Sequence, residues 1–255
     1  MLFDSHAHYD DEKFNEDRDD TIKNARESGV SYILNAATDI DTSLFGVGLT
    51  EKYDFIYTAV GVHPHCVGAM DEDAIIKMSE LVKKPKVVAV GEIGLDYYYD
   101  NSPRDVQKHW FLRQIEFAKD VNKPIIVHDR DAHEDIMNLI KSSHAEKVGG
   151  VIHCFSGSVQ MAKELLDLGF YLSFAGAVTF KNARKAIEVL QYAPIDRILI
   201  ETDSPYLTPE PFRGKRNDSR HVRLVAEKIA EIKGLSFEDV ALTTLNNAKD
   251  LFGIA

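Results

Sequence analysis

The stretch "VVAVGEIGL" (Val87–Leu95) decides the fold. A strand with one wet face alternates apolar and polar residues, whereas this run is apolar at almost every position, as a strand buried on both faces must be. Such strands belong to parallel sheets covered by helices. Seven further segments resemble it: "MLFDSHAH" (1–8), "YILNAA" (32–37), "FIYTAVGV" (55–62), "PIIVH" (124–128), "GVIHCF" (150–155), "FYLSFAG" (170–176) and "RILIETD" (197–203). Amphipathic stretches separate them. "SPRDVQKHWFLRQIEFAKDVN" (102–122) offers Ser102 as N-cap and Pro103 as first helical residue, and Gly29 and Gly169 stand where helices would stop. Two more helices are expected after the last strand, "SRHVRLVAEKIAEIKG" (219–234) and "LSFEDVALTTLNNAKDLFG" (235–253), the second opened by a Ser236/Asp239 capping box.

Eight strands alternating with helices over 255 residues predict an α/β fold, a (β/α)8 TIM barrel with extra C-terminal helices, as one domain spanning 1–255. A doubly wound open sheet would want a G-x-G-x-x-G phosphate turn after an early strand, and the sequence has none. No apolar run approaches the ~18 residues of a membrane span, and the first strand starts too early for a signal peptide. Two cysteines, Cys66 and Cys154, make no disulfide framework, so a cytoplasmic protein without a membrane or an obligate protein partner is expected. The net charge of −11 argues against a protein that coats nucleic acid by bulk electrostatics, but not against an enzyme with local basic residues.

Barrel active sites form at the C-terminal ends of the strands. Polar residues collect there in this sequence: His6 and His8 on the first strand, His63 and His65 after the third, Glu92 on the fourth, His128 on the fifth, His153 on the sixth and Asp203 on the eighth. His6 and His8 share a face of their strand at about 7 Å in Cα terms, a spacing that lets two imidazoles converge on one ion. Glu92 in an apolar strand would be an isolated buried carboxylate, costly unless paired or metal-bound. His153 points to the site only if Cys154 packs outward, by the alternation rule. Four histidines and two carboxylates suit two divalent ions with Glu92 as the bridge, since one carboxylate offers two oxygens. His6, His8 and Asp203 would complete one ion, His128 and His153 the other. Two such ions lower the pKa of a bound water and stabilise attacking and leaving oxygens, which is hydrolytic chemistry. Asp203 is the candidate proton acceptor, and Glu92 joins it as a catalytic candidate.

"DSHAH", "GVHPH", "GEIGLDYYYD", "VHDRDA", "HCFSGS" and "ETDSPYLTPEPFRGKRN", in this order across essentially the whole chain, resemble the TatD family of metal-dependent deoxyribonucleases. The resemblance implies a (β/α)8 barrel, a two-metal site and hydrolysis of DNA phosphodiesters, often from a 3′ end. By motif position it carries the family's ligands to His6, His8, Glu92, His128, His153 and Asp203. The expected cofactors are two divalent ions, Mg, Mn or Zn, with imidazole-rich sites favouring the transition metals. The expected substrate is DNA, single-stranded or at 3′ ends.

For phosphate contact the candidates are His63, His65, Arg130 and Arg213, the last within a basic segment with Lys215, Arg216, Arg220 and Arg223. Tyr97, Tyr98 and Tyr99 follow Glu92 and offer rings on which bases stack. His109, His133, His144 and His221 read as surface residues. The competing function is a two-metal hydrolase of a small phosphoester, amide or lactone, because fold and metals alone do not choose the substrate. A non-catalytic scaffold is the remaining alternative, and six filled ligand positions argue against it.

Overall fold

A computed structural model describes residues 1–255. Eight strands, β1 (Leu2–Ala7), β2 (Val30–Asn35), β3 (Ile56–Val60), β4 (Val87–Asp96), β5 (Ile125–Arg130), β6 (Gly150–Ile152), β7 (Tyr171–Phe174) and β8 (Ile198–Ile200), pair in sequence order, each parallel to the next. Helices α1 (Arg18–Glu27), α2 (Ile40–Lys52), α3 (Glu72–Leu81), α4 (Arg104–Asp120), α5 (His133–Ser142), α6 (Val159–Asp167) and α7 (Arg184–Tyr192) form the crossovers. α8 (Val222–Lys233) and α9 (Phe237–Phe252) follow β8, and α9 packs on β1 and β8. This is the nearly closed eight-stranded barrel with C-terminal helices that the apolar runs imply.

Closure between β1 and β8 is of a different kind. β1 and the segment just beyond β8 share one isolated bridge, Ala7 to Ser204, rather than a ladder. Side chains finish the seam. Thr202 donates to Asp4 through its backbone N–H (2.8 Å) and its hydroxyl (2.6 Å), and Ser5 Oγ donates to the Ile200 carbonyl at 3.0 Å. Asp203 N–H then donates to the His6 carbonyl at 2.9 Å. Asp4, in step with His6 and His8 along β1, serves the seam.

β4 is buried along its whole length, as its continuous apolar run requires. Two glycines flank Glu92 for steric reasons. A Cβ on Gly91 would lie 2.6 Å from Ile126 Cβ, and one on Gly94 would collide with the His128 carbonyl oxygen. Gly94 also has φ +147°, which only glycine adopts without strain. The two glycines therefore let β4 press against β5 where Glu92 and His128 meet.

Three of the expected helix ends follow local chemistry and one does not. Gly29 and Gly169 both take positive φ beyond helix ends, and Ser236 accepts from Asp239 N–H at 3.0 Å to cap α9. Ser102, expected as the N-cap of α4, does not cap it. Pro103 holds that position, and Ser102 is buried, accepting from Gly68 N–H (3.1 Å) and donating to the His65 carbonyl (3.2 Å). Its hydroxyl ties the loops after β3 and β4 together instead.

Candidate metal centre

The six expected ligand positions converge at the C-terminal mouth of the barrel, where all but the fully buried His6 line a cleft of about 920 Å³. Glu92, 3% exposed, lies at the centre. Its Oε2 is 3.2 Å from His6 Nε2 and 3.7 Å from His8 Nε2. Its Oε1 is 2.6 Å from His128 Nδ1 and 2.8 Å from His153 Nε2. Asp203 Oδ1 joins the first group, 3.3 Å from His8 Nε2 and 3.9 Å from His6 Nε2. One carboxylate thus divides its oxygens between two histidine pairs.

The far side of each ring decides what the near side offers. His8 Nδ1 donates to the Ala36 carbonyl at 2.9 Å, so in the neutral ring the proton sits there and Nε2 presents a lone pair. His128 Nε2 donates to Asp96 Oδ2 at 3.1 Å, leaving the Nδ1 lone pair toward Glu92. His153 Nδ1 faces Glu201 Oε1 at 3.4 Å, leaving Nε2 free to ligate. His63 is arranged the other way round. Its Nδ1 accepts from His65 N–H at 3.1 Å, so Nε2 carries the proton toward Glu92 Oε1, 3.6 Å away. His63 is placed to donate, and His8, His128 and His153 to coordinate, while His6 Nδ1 is buried without a partner.

Lone pairs aimed at one another and at carboxylate oxygens repel unless positive charge lies between them. His6 Nε2 and His8 Nε2 are 3.1 Å apart, and His128 Nδ1 and His153 Nε2 are 3.3 Å apart. Without cations the carboxylates favour protons on His8, His128 and His153 instead, while burial and the neighbouring His153 hold His6 below its ordinary range. Burial opposes a charge on His8, but Asp203 and Glu92 outweigh it and hold its pKa up at about 9. Burial likewise pushes Glu92 upward, and His153, His6 and His63 overcome it, holding the carboxyl well below its usual range. For His63, burial and the neighbouring His128 prevail and drive its pKa well below normal. The donor set fits divalent cations: ligand atoms come close enough to hold an ion in three groups, His6, His8 and Asp203; His6, His153 and Glu201; and Glu92 and His128 with His63 beside them.

Two buried carboxylates here went unread in the sequence. Asp96, 1% exposed, accepts from Tyr98 N–H (3.0 Å) and Tyr99 N–H (2.8 Å) on Oδ1, and faces His65 Nε2 (2.8 Å) and His128 Nε2 on Oδ2. Glu201 accepts from Cys154 N–H at 2.7 Å beside His153. Both share the strand parity of an expected ligand, Glu92 and Asp203, which was the signal available.

Three other expectations need revision. Cys154 does not pack outward, because β6 ends at Ile152 and Cys154 turns with φ +45°, so it lines the cleft with His153. The basic segment is largely spent on partners elsewhere: Arg216 pairs with Asp17, Arg220 with Asp218 and Arg223 with Glu227. Arg213 stacks over Phe180 and does not line the cleft, whereas Arg130 does. Of the four histidines read as surface residues, His109 and His144 are exposed. His133 and His221 are half-buried, bonded to Asp129 (2.8 Å) and Asn217 (2.9 Å).

The family model described as TatD related DNase matches residues 3–253. The chain belongs to the TatD family. It is 50% identical over 254 residues to an uncharacterized metal-dependent hydrolase of Bacillus subtilis, YabD, covering 100% of both chains. It is 35% identical over 265 residues, again 100% of each, to the 3′-5′ ssDNA/RNA exonuclease TatD of Escherichia coli. Among solved structures it resembles the TatD homologue YJJV of Escherichia coli, with a TM-score of 0.94 and 29% identity over 100% of this chain and 98% of that one. The family is one of metal-dependent hydrolases, and the clustered His, Asp and Glu side chains at the barrel mouth are of the kind such ions require. No helix is long and apolar enough to cross a membrane.

Proposed function

We propose that this protein, as one barrel domain over residues 1–255, is a metal-dependent deoxyribonuclease that removes nucleotides from 3′ ends of single-stranded DNA. His6, His8, Glu92 and Asp203 would hold one divalent ion, and Glu92, His128 and His153 a second. The observation that carries this reading is the division of the Glu92 oxygens between two histidine pairs. Similarity to a relative named as a 3′-5′ exonuclease supports the choice of phosphodiester.

Such ions supply Lewis-acid activation of water and neutralise charge on a phosphodiester when bound. The chain's own groups do the rest. Asp203, whose side chain is 15% exposed, is the most open of the central carboxylates and is positioned to accept a proton from water in the cleft. The His63 Nε2–H, neutral and fixed by His65, donates toward the substrate's non-bridging oxygens. Arg130 is the one Lys or Arg lining the cleft and supplies its permanent positive charge.

The test is release of nucleotides from a short 3′-labelled single strand. The protein would be stripped of metal, then resupplied with Mg²⁺, Mn²⁺ or Zn²⁺ in parallel with a His128→Ala variant. Metal-restored release absent in the variant is expected. No release with any ion, from protein shown to bind metal, would overturn the nuclease reading. A second reading has its own observation: Asp10, Asp11, Asp129 and Asp131 also line the cleft, an acidic rim better suited to a small or neutral substrate than to a long polyanion. Small phosphoester, amide and lactone substrates assayed alongside separate the two.

A further inference from the structure

Beside the metal centre the rim carries an aromatic surface that the hydrolytic groups do not use. Tyr98 is 59% exposed and Tyr99 is 55% exposed, although most large apolar side chains of this barrel are buried. The two rings stand edge to face at 4.9 Å, and Tyr99 meets His65 in the same way at 5.3 Å. The Arg130 guanidinium lies over both, 4.3 Å from the Tyr98 centroid and 5.0 Å from that of Tyr99. Tyr99 and Arg130 also line the cleft.

This surface is fixed relative to the candidate metals. The backbone N–H groups of Tyr98 and Tyr99 both donate to Asp96 Oδ1, while Asp96 Oδ2 holds His128, whose other nitrogen faces Glu92. A single buried carboxylate therefore fixes both the backbone turn that carries the tyrosines and the ring of a candidate ligand. The ordering cost of that backbone turn is met on folding rather than on binding.

We infer that Tyr98, Tyr99 and Arg130 form a stacking platform for an unpaired nucleobase next to the phosphodiester to be cut, which makes single-strandedness a condition of productive binding. Aromatic faces and guanidinium planes take any base, so the platform selects unstacked bases without reading sequence. It also explains how a cleft with an acidic rim and one arginine holds a nucleic acid: contact comes from the bases as much as from phosphates. The inference rests on the nuclease reading for its substrate, and its test is made independent of hydrolysis.

Binding is measured by anisotropy with a labelled phosphorothioate single strand, on metal-loaded protein. A matched strand with abasic residues at its two 3′-terminal positions serves as the comparison. Wild-type protein is expected to bind the base-bearing strand about 5–150-fold tighter than the abasic one, from the ~1–3 kcal/mol of one base–aromatic stack. The double variant Tyr98→Ala/Tyr99→Ala should lose that preference while binding the abasic strand like wild type, and Tyr99→Phe should keep it. Equal affinity of the wild type for both strands would overturn the platform, as would a variant that retains the preference or that loses affinity for both strands equally. Cleavage of the unmodified strand is scored separately. Cleavage without base preference refutes the platform and leaves the nuclease, whereas base preference without cleavage refutes the nuclease and leaves the platform.

Discussion

Replacing Asp96 with asparagine should loosen one ion and spare the other. The substitution keeps shape and volume, so its effect is confined to one atom. Two backbone N–H groups, of Tyr98 and Tyr99, hold Oδ1 and will hold the asparagine carbonyl in its place. The new amide then stands where Oδ2 faced His128 Nε2 at 3.1 Å and His65 Nε2 at 2.8 Å, a donor against two ring nitrogens. His128 relieves the clash by moving its proton to Nδ1, the atom that lies 2.6 Å from Glu92 Oε1 and is needed as a lone pair. Loss of such an outer partner costs ~10–100-fold in metal affinity, or about 1.4–2.8 kcal/mol. His6 and His8 do not touch Asp96, and His8 is oriented by the Ala36 carbonyl, so the first ion keeps its affinity. Titration of metal-free protein against a chromophoric chelator should show one of two equivalents weakened by that factor in Asp96→Asn and the other unchanged from wild type. Two sites that weaken together, or neither, would refute the tautomer reasoning.

Other outcomes follow from the same structure. Glu92→Gln removes the charge shared by both ions, so binding of both should weaken by more than the ~100-fold of an outer-shell loss, read by the same chelator competition. Gly94→Ala meets both a positive φ and the His128 carbonyl, and thermal unfolding should show a loss of more than ~3 kcal/mol; Gly29→Ala, with φ +100° but open space around it, should lose only about 1 kcal/mol. Asn247→Leu strips the Ile195 and Ile198 carbonyls of donors at 2.8 Å each, costing roughly 2–4 kcal/mol and lowering the melting temperature by roughly 5–15 °C. Burial pulls the Asp218 carboxyl upward, but the Arg220 guanidinium, bonded twice at 2.8 Å, outweighs it and holds it below its ordinary range. A depressed folded pKa stabilises above the ordinary carboxylate range and is lost as pH falls through the folded value, so Asp218→Asn should flatten the acid side of the stability–pH curve.

The barrel and the positions of its polar strand ends were legible because both rest on local pattern. A buried parallel strand must be apolar throughout, so a His or Glu in it stands out, and Glu92 is the plainest case. Alternation failed where a strand was shorter than its apolar run. β6 stops at Ile152, and the turn that follows swings Cys154 into the cleft beside His153. Asp96 was passed over for the opposite reason, since β4 runs one residue further than Leu95. The basic segment misled because a sequence displays charges without their counterions: Asp17, which occupies Arg216, belongs to the far end of the chain. Tautomers were beyond reach for the same reason, since they depend on carbonyls such as that of Ala36 that only the folded chain brings near.

The seam between β1 and β8 has a consequence for synthesis. His6 and His8 leave the ribosome before Asp203, their partner across the seam, which follows roughly 10–40 s later at about 5–20 residues per second. Through that interval β1 has one edge without a neighbour, and the first ion of the proposed pair would lack its carboxylate from beyond β8. Firm metal capture at that position therefore marks a chain whose eighth strand has arrived, and a nascent chain halted before Asp203 would hold the ion weakly however much of the barrel had already formed.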